Sequence, residues 1–228
     1  MAHDLTNSKG QSARKVFIVE DHPVFRQGLK QMVNGEKDLS VCGESGDAES
    51  AFSAIKRLKP DLVLVDITLP GESGLDLIKR VRKAQPASKL LVVSMHDEAL
   101  YANRVLRAGA SGYIMKQEDP DELVHAIRDV LGGHIYLSEE VLGKRATTQS
   151  GTEPKAPNGA LEQFTDEELE VLECLGLGKT QREIARLLKL SPATVTARCA
   201  RIKKKLKLES ANELIRYAVC WVESGGEA

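Results

Sequence analysis

Five polar residues in the first half of the chain share one placement. Glu20-Asp21, Asp66, Ser94 and Lys116 stand at, or one step past, the ends of the apolar runs Val16-Phe17-Ile18-Val19, Leu62-Val63-Leu64-Val65, Leu90-Leu91-Val92-Val93 and Gly112-Tyr113-Ile114-Met115. A carboxylate such as Asp66 is a usable nucleophile toward phosphorus. Three clustered carboxylates repel one another and an incoming phosphoryl group, and Mg2+ held by oxygens of Glu20, Asp21 and Asp66 would remove that repulsion. Lys116 supplies a fixed positive charge for transferring oxygens. The Ser94 hydroxyl can donate to a phosphoryl oxygen once one is in place.

The elements that must position these groups follow from the runs themselves. Short, branched apolar runs read as buried parallel strands. Ligands of an open α/β sheet sit outside the carboxyl ends of its strands, so the five groups are expected at one mouth. Helical spacing recurs over Pro23–Val33, Asp47–Leu58, Leu75–Val81, Leu100–Leu106 and Asp119–Leu131, with Val41-Cys42 as a weak second strand. Five strand–helix units predict a doubly wound, five-stranded parallel α/β domain over residues 14–143. Residues 1–13 read as a disordered tail. Residues 144–161, rich in Thr, Ser, Gly and Pro, read as a flexible linker.

Structure resumes at residue 162 with a dense set of helix-start signals. Thr165-x-x-Glu168, Thr180-x-x-Glu183 and Ser210-x-x-Glu213 fit the capping box, and Ser191-Pro192 fits an N-cap followed by proline at the first helical position. Four short helices are expected, at 166–175, 181–188, 192–206 and 211–222, making a small all-α domain over 162–224.

Charge separates the two halves. The chain of 228 residues has a net charge of −1. Between Lys179 and Lys207, however, ten Lys/Arg face one Glu, a local +9 that leaves −10 for the rest. A basic block on an otherwise acidic protein suggests a polyanionic partner. Cys42, Cys174, Cys199 and Cys220 form no CxxC pair and no zinc spacing with the five histidines, which favours reduced thiols in a cytoplasmic protein. Neither a signal-peptide pattern nor an apolar run of membrane-spanning length is visible, so no membrane partner is expected.

The helices at 181–188 and 192–206, joined by a short turn, form a helix-turn-helix. Val195, Cys199, Ile202 and Leu206 face inward by spacing. Thr194, Thr196, Ala197, Arg198, Ala200, Arg201, Lys203 and Lys204 are the candidate contacts to double-stranded DNA. Leu214, Ile215, Ala218, Val219 and Val222 stripe the last helix, and Trp221 reads equally as core or surface.

The motifs Val-Glu20-Asp21-His-Pro, Asp66-Ile-Thr-Leu-Pro70-Gly and Gly-Ala-Ser-Gly-Tyr113-Ile-Met-Lys116 resemble the receiver domain of two-component response regulators. The resemblance implies that Asp66 accepts a phosphoryl group from a sensor histidine kinase. It further implies that the Thr68 backbone carbonyl joins the Mg2+ ligands, and that Ser94 moves toward the phosphate while Tyr113 follows inward. Thr68 and His96, two residues after Asp66 and Ser94, flank the path of attacking water in the family. Residues 162–223 resemble the LuxR-type DNA-binding domain of NarL/FixJ regulators, through Phe-Thr165-x-x-Glu168-x-Glu-Val-Leu, Glu183-Ile-Ala185-x-x-Leu, Ser191-x-x-Thr194-Val195, Ile202-x-x-Lys205-Leu and Glu-Leu214-x-x-Tyr-Ala218. The expected protein is a transcription regulator, not an enzyme beyond assisting its own phosphorylation and dephosphorylation. It would be a homodimer when activated, with RNA polymerase as a further partner. When unphosphorylated, its receiver would mask the DNA-binding domains or fail to pair them. Three departures from the family pattern stand out: Glu167 in place of Arg, Thr196 in place of Lys and Arg198 in place of His. Three other readings are open, one of them an interaction protein whose receiver is used for docking and not as a phosphoryl switch. A phosphatase of the haloacid dehalogenase type needs a second Asp where this chain has Thr68. A DNA-binding regulator could also work without phosphorylation.

Overall fold

The computed structural model describes residues 13–70, 72–139, 141 and 164–223. The expected linker and all but the last residue of the expected tail lie outside them. Strands β1 (Arg14–Val19), β2 (Leu39–Ser45), β3 (Leu62–Val65), β4 (Lys89–Ser94) and β5 (Gly112–Met115) alternate with helices α1 (Pro23–Gly35), α2 (Ala48–Leu58), α3 (Gly74–Ala84), α4 (Glu98–Ala108) and α5 (Pro120–Gly132). The strands form one parallel sheet in the order β2-β1-β3-β4-β5. The chain leaves β1 for one edge and returns beside it as β3, so the winding reverses between these two strands, where such folds bind ligands.

Alternation along each strand feeds two cores. Val16, Ile18, Leu62, Leu64, Leu91, Val93 and Ile114 pack against Leu29 and Val33 of α1 and Leu123, Ala126, Ile127 and Val130 of α5. Phe17, Val19, Val63, Val65, Leu90 and Val92 pack on the other face against α2, α3 and α4. With both faces covered, the central strands must be apolar at every position. Full burial of one such side chain contributes about 1.5–3 kcal/mol. The loop after β3 is held by a close approach to α3. Gly74 donates its N–H to the Ile67 carbonyl at 2.8 Å. A Cβ on Gly74 would lie only 2.0 Å from the Asp66 carbonyl oxygen.

The second domain consists of α6 (Asp166–Gly176), α7 (Gln181–Leu187), α8 (Pro192–Leu206) and α9 (Ala211–Glu223). Thr165 and Thr180 make complete capping boxes with Glu168 and Glu183, and Ser191 caps α8 ahead of Pro192. The third expected box closes differently. Ser210 Oγ accepts from the Glu213 N–H at 3.2 Å, while the Glu213 carboxylate reaches back to the N–H of Glu209 at 2.9 Å. Phe164, Leu169, Leu172, Ile184, Val195, Cys199, Ile202, Leu214, Ala218 and Trp221 form the core, which settles Trp221 as a core residue. The turn from α7 into α8 passes through Lys189 in the left-handed conformation, at φ 53°. The Leu190 N–H bonds the Ala185 carbonyl at 2.8 Å and the Lys189 N–H bonds that of Arg186 at 3.3 Å, the pattern of a Schellman end.

Helix α6 is buried nearly all round. Leu169, Leu172 and Leu175 serve the second domain's core, while Asp166, Glu170 and Glu173 are also buried, at 9%, 6% and 4% exposure. These acids face the receiver domain, which covers them. Among the described residues no helix is long and apolar enough to cross a membrane.

Candidate functional site

Ladder hydrogen bonds continue one residue beyond the strands and fix the functional backbone. The Glu20 N–H bonds the Ser45 carbonyl at 3.0 Å, the Asp66 N–H bonds that of Val19 at 2.9 Å, and the Lys116 N–H bonds that of Ser94 at 2.8 Å. Strands β1, β3 and β5 therefore deliver three charged side chains to one mouth of the sheet.

There the Lys116 Nζ lies 2.6 Å from Glu20 Oε2 and donates to Asp66 Oδ2 at 2.8 Å. Lys116 also lies over the Phe25 ring, 4.8 Å from its centroid. The Thr68 N–H donates to the other Asp66 oxygen at 3.3 Å. Burial pushes the Asp66 carboxyl above the usual carboxylate range and Glu20 adds to the effect, while Lys116 and the Thr68 N–H pull against it. Ser94 is fully buried, and its Oγ accepts from the His96 N–H at 3.3 Å. Glu20, Asp21, Asp66 and Lys116 meet at this mouth, and Ser94 ends the intervening strand β4.

The acidic cluster fits a divalent cation. Glu20, Asp21, His22 and Asp66 each offer a ligand atom, and these atoms lie within 4.8 Å of one another. Glu20 Oε2 and Asp21 Oδ1 are buried and accept no hydrogen bond, although the Lys116 ammonium and the His22 ring stand beside them. A compact set of carboxylate oxygens suits a hard ion such as Mg2+. His22, whose Nδ1 lies 2.8 Å from Asp21 Oδ1, was not anticipated from sequence. It follows the acidic pair directly, and that adjacency is the only signal it left.

Tyr113 is already fully buried, with its hydroxyl donating to the His96 carbonyl at 2.8 Å. His96 bridges the two domains. Its Nε2 lies 2.8 Å from Thr68 Oγ1 and its Nδ1 lies 2.6 Å from Glu173 Oε2 of α6. Burial works against a charge on His96, but Glu173, Glu170 and Asp66 outweigh it and the net shift is upward. Arg104 of α4 pairs with Asp166 at the start of α6, and Lys189 pairs with Asp21. Glu173 and Lys189 escaped sequence reasoning because nothing local marks a residue whose partner lies in another domain.

On α8, Val195, Cys199 and Ile202 are buried, as their spacing predicts. Thr196, Ala197, Ala200, Arg201 and Lys204 are exposed, and Thr194 and Lys203 are partly so. Most of this outer face is exposed to solvent. Arg198 stands apart from the other seven residues. It is 8% exposed and pairs with Glu167 at 2.8 Å, turned toward α6 and away from the open face. The Thr196 hydroxyl donates within the domain, to Gln181 Oε1 and the Pro192 carbonyl at 3.0 Å each.

Comparison with known proteins agrees with this geometry. Residues 16–128 match the response regulator receiver domain, and residues 162–218 match the luxR family of bacterial regulatory proteins. The oxygen regulatory protein NreC of Staphylococcus carnosus is 32% identical over 209 residues, covering 90% of this chain and 96% of its own. The Fimbriae Z protein of Salmonella typhimurium is 33% identical over 203 residues, covering 89% and 95%. A two-component response regulator of the LuxR family from Aurantimonas sp. SI85-9A1 superposes with a TM-score of 0.57 at 32% identity, over 61% of this chain and all of its own. With an acidic site at the sheet's mouth, a basic helix-turn-helix behind it and family likeness across both, the chain belongs to the two-component response regulators of the NarL/FixJ type: it is a DNA-binding response regulator.

Proposed function

We propose that Asp66 is the phosphoacceptor and that the group comes from the phosphohistidine of a sensor histidine kinase. The observation that carries this reading is Lys116 held between Glu20 and Asp66 beside a cluster of oxygen ligands. An Asp66 oxygen attacks phosphorus, the P–N bond breaks and its electron pair stays on the kinase imidazole. Glu20, Asp21, Asp66 and the Thr68 carbonyl would hold Mg2+, which would neutralise the crowded negative charge. Lys116 then turns from Glu20 and Asp66 toward the phosphoryl oxygens. Ser94, freed from its bond to the His96 N–H, donates to another. Tyr113, tied to the His96 carbonyl, feels that movement first. In an intact-mass experiment with Mg2+ and a small phosphoryl donor, the wild type is expected to gain one phosphoryl group and Asp66→Asn none. Equal gain by both would remove Asp66 from the role.

Phosphorylation is then expected to bring two chains together in the cytoplasm, through the outer stripe of α9 where Ile215 is exposed. The homodimer would set two α8 helices on adjacent half-sites of double-stranded DNA, where it regulates transcription and meets RNA polymerase. Lys204→Ala should lower the slope of log affinity against log salt by about 1. Arg198→Ala should leave that slope unchanged and instead lower the stability of the second domain by about 1–2 kcal/mol, because its partner Glu167 is left on a crowded acidic helix. A drop in slope with Arg198→Ala would return that residue to the contact surface.

One observation favours a second reading. The outer face of α8 is exposed beside the docked receiver, which suits a regulator that binds DNA unmodified. DNA binding by Asp66→Asn equal to that of the phosphorylated wild type would decide for it.

A further inference from the structure

The second domain places one ammonium group in the acidic site. Lys189, at the left-handed turn between α7 and α8, pairs with Oδ2 of Asp21. Lys116 pairs with Glu20 and Asp66, while the Asp21 carboxylate pairs with Lys189 and faces the ring of His22. The Asp21 side chain is 5% exposed, which leaves little room for a further charge beside Lys189. Mg2+ requires near-octahedral oxygen coordination at about 2.0–2.1 Å and brings two positive charges. An ion so placed on Asp21 and an ammonium on the same carboxylate repel each other at short range.

We propose that Lys189 is a resident counter-ion for the receiver's acidic site and competes with Mg2+ for Asp21. This rests on the reading of that site as a Mg2+ site and adds to it a form of regulation. Docking of the second domain lowers the affinity for the cation. By reciprocity, Mg2+ alone, with no phosphoryl group, weakens docking by the same factor. Lys189 precedes the α8 cap Ser191 by two residues, so the released segment is the turn that leads into the DNA-facing helix. The second clasp, with Glu173 on His96 and on the Asp97 N–H at 3.4 Å, does not touch Asp21 and stays closed, so cation loading loosens the assembly without fully opening it.

The test is calorimetric titration of the full chain with Mg2+, comparing wild type, Lys189→Gln and Lys189→Arg. Lys189→Gln should bind Mg2+ roughly 5- to 20-fold more tightly than wild type, and Lys189→Arg should stay close to wild type. Equal affinity in wild type and Lys189→Gln overturns the competition while leaving the metal site standing. Absence of Mg2+ binding in all three proteins overturns both the competition and the metal reading. Small-angle scattering supplies a second readout. Saturating Mg2+ should enlarge the radius of gyration of the wild type, whereas Lys189→Gln should start larger and change little. A wild type whose dimensions ignore Mg2+ would overturn the loosening.

Discussion

Replacing Lys116 with methionine is expected to lower the unfolding free energy of the receiver domain by about 3–5 kcal/mol in the absence of divalent cation. The Lys116 side chain is 6% exposed and those of Glu20 and Asp66 1% and 4%, so the substitution leaves two buried carboxylates facing each other with no cation between them. Methionine fills most of the volume and can lie against Phe25, so the loss reports charge more than packing. Mg2+ should recover much of it, because an ion that binds only the folded form stabilises by RT ln(1 + [L]/Kd), about 2.7 kcal/mol at a hundredfold excess over Kd. Urea unfolding with chelator and with Mg2+, on wild type and variant, measures both quantities. A loss below about 1 kcal/mol, with no recovery by Mg2+, would show that the lysine is dispensable to the site's charge balance.

Glu170 governs the other large effect. Burial between the domains raises its carboxyl to about 7, against 4.5 in the unfolded chain, with His96 and Arg198 pulling the other way. A folded-state value above the unfolded one means that the folded, docked form binds more protons than the unfolded chain. Its stability is therefore full below about 4.5 and is lost as pH rises through about 7. That shift corresponds to about 3 kcal/mol at pH 8, by the conversion of about 1.4 kcal/mol per unit. Glu170→Gln removes the charge and keeps the shape, so the variant should stay docked at pH 8 where the wild type loosens. His96, held upward by Glu173, weakens docking over the same rise, which leaves the variant with a shallower profile and not a flat one. Scattering between pH 5 and 8 separates the two proteins, and superimposable profiles would show that Glu170 carries no such burden.

Much of this was legible in the chain because burial on both faces of a sheet leaves an unmistakable mark. The four buried runs, the order of the polar groups at their ends and the capping boxes at Thr165 and Thr180 were all readable. Strand β2 was not, beyond Val41-Cys42. It lies at the sheet edge, most of its seven residues are only partly buried, and its register slips between Val16 and Phe17 of its neighbour. An edge strand needs no continuous apolar run, so Ser40, Gly43 and Glu44 hid it. Two departures from the family pattern, Glu167 and Arg198, looked unrelated in sequence and proved to be the two ends of one ion pair. The acidic stripe of α6 resisted reading for a different reason. Asp166, Glu170 and Glu173 have the composition of a solvated helix face, and only the approach of a second domain, through Arg104 and His96, makes them interior.

Gly74 has a consequence for the way this protein can vary. It bears no functional group and touches no ligand atom, yet even alanine would drive a methyl into the carbonyl of Asp66 and shift the carboxylate that projects from the same residue. A library randomised at every position of α3 should return Gly74 almost unchanged among survivors, beside freely drifting neighbours such as Asp76 and Lys79. Tolerance mapping of this kind commonly marks out reactive side chains. Here the intolerant site would be a place where the lineage cannot add a single carbon.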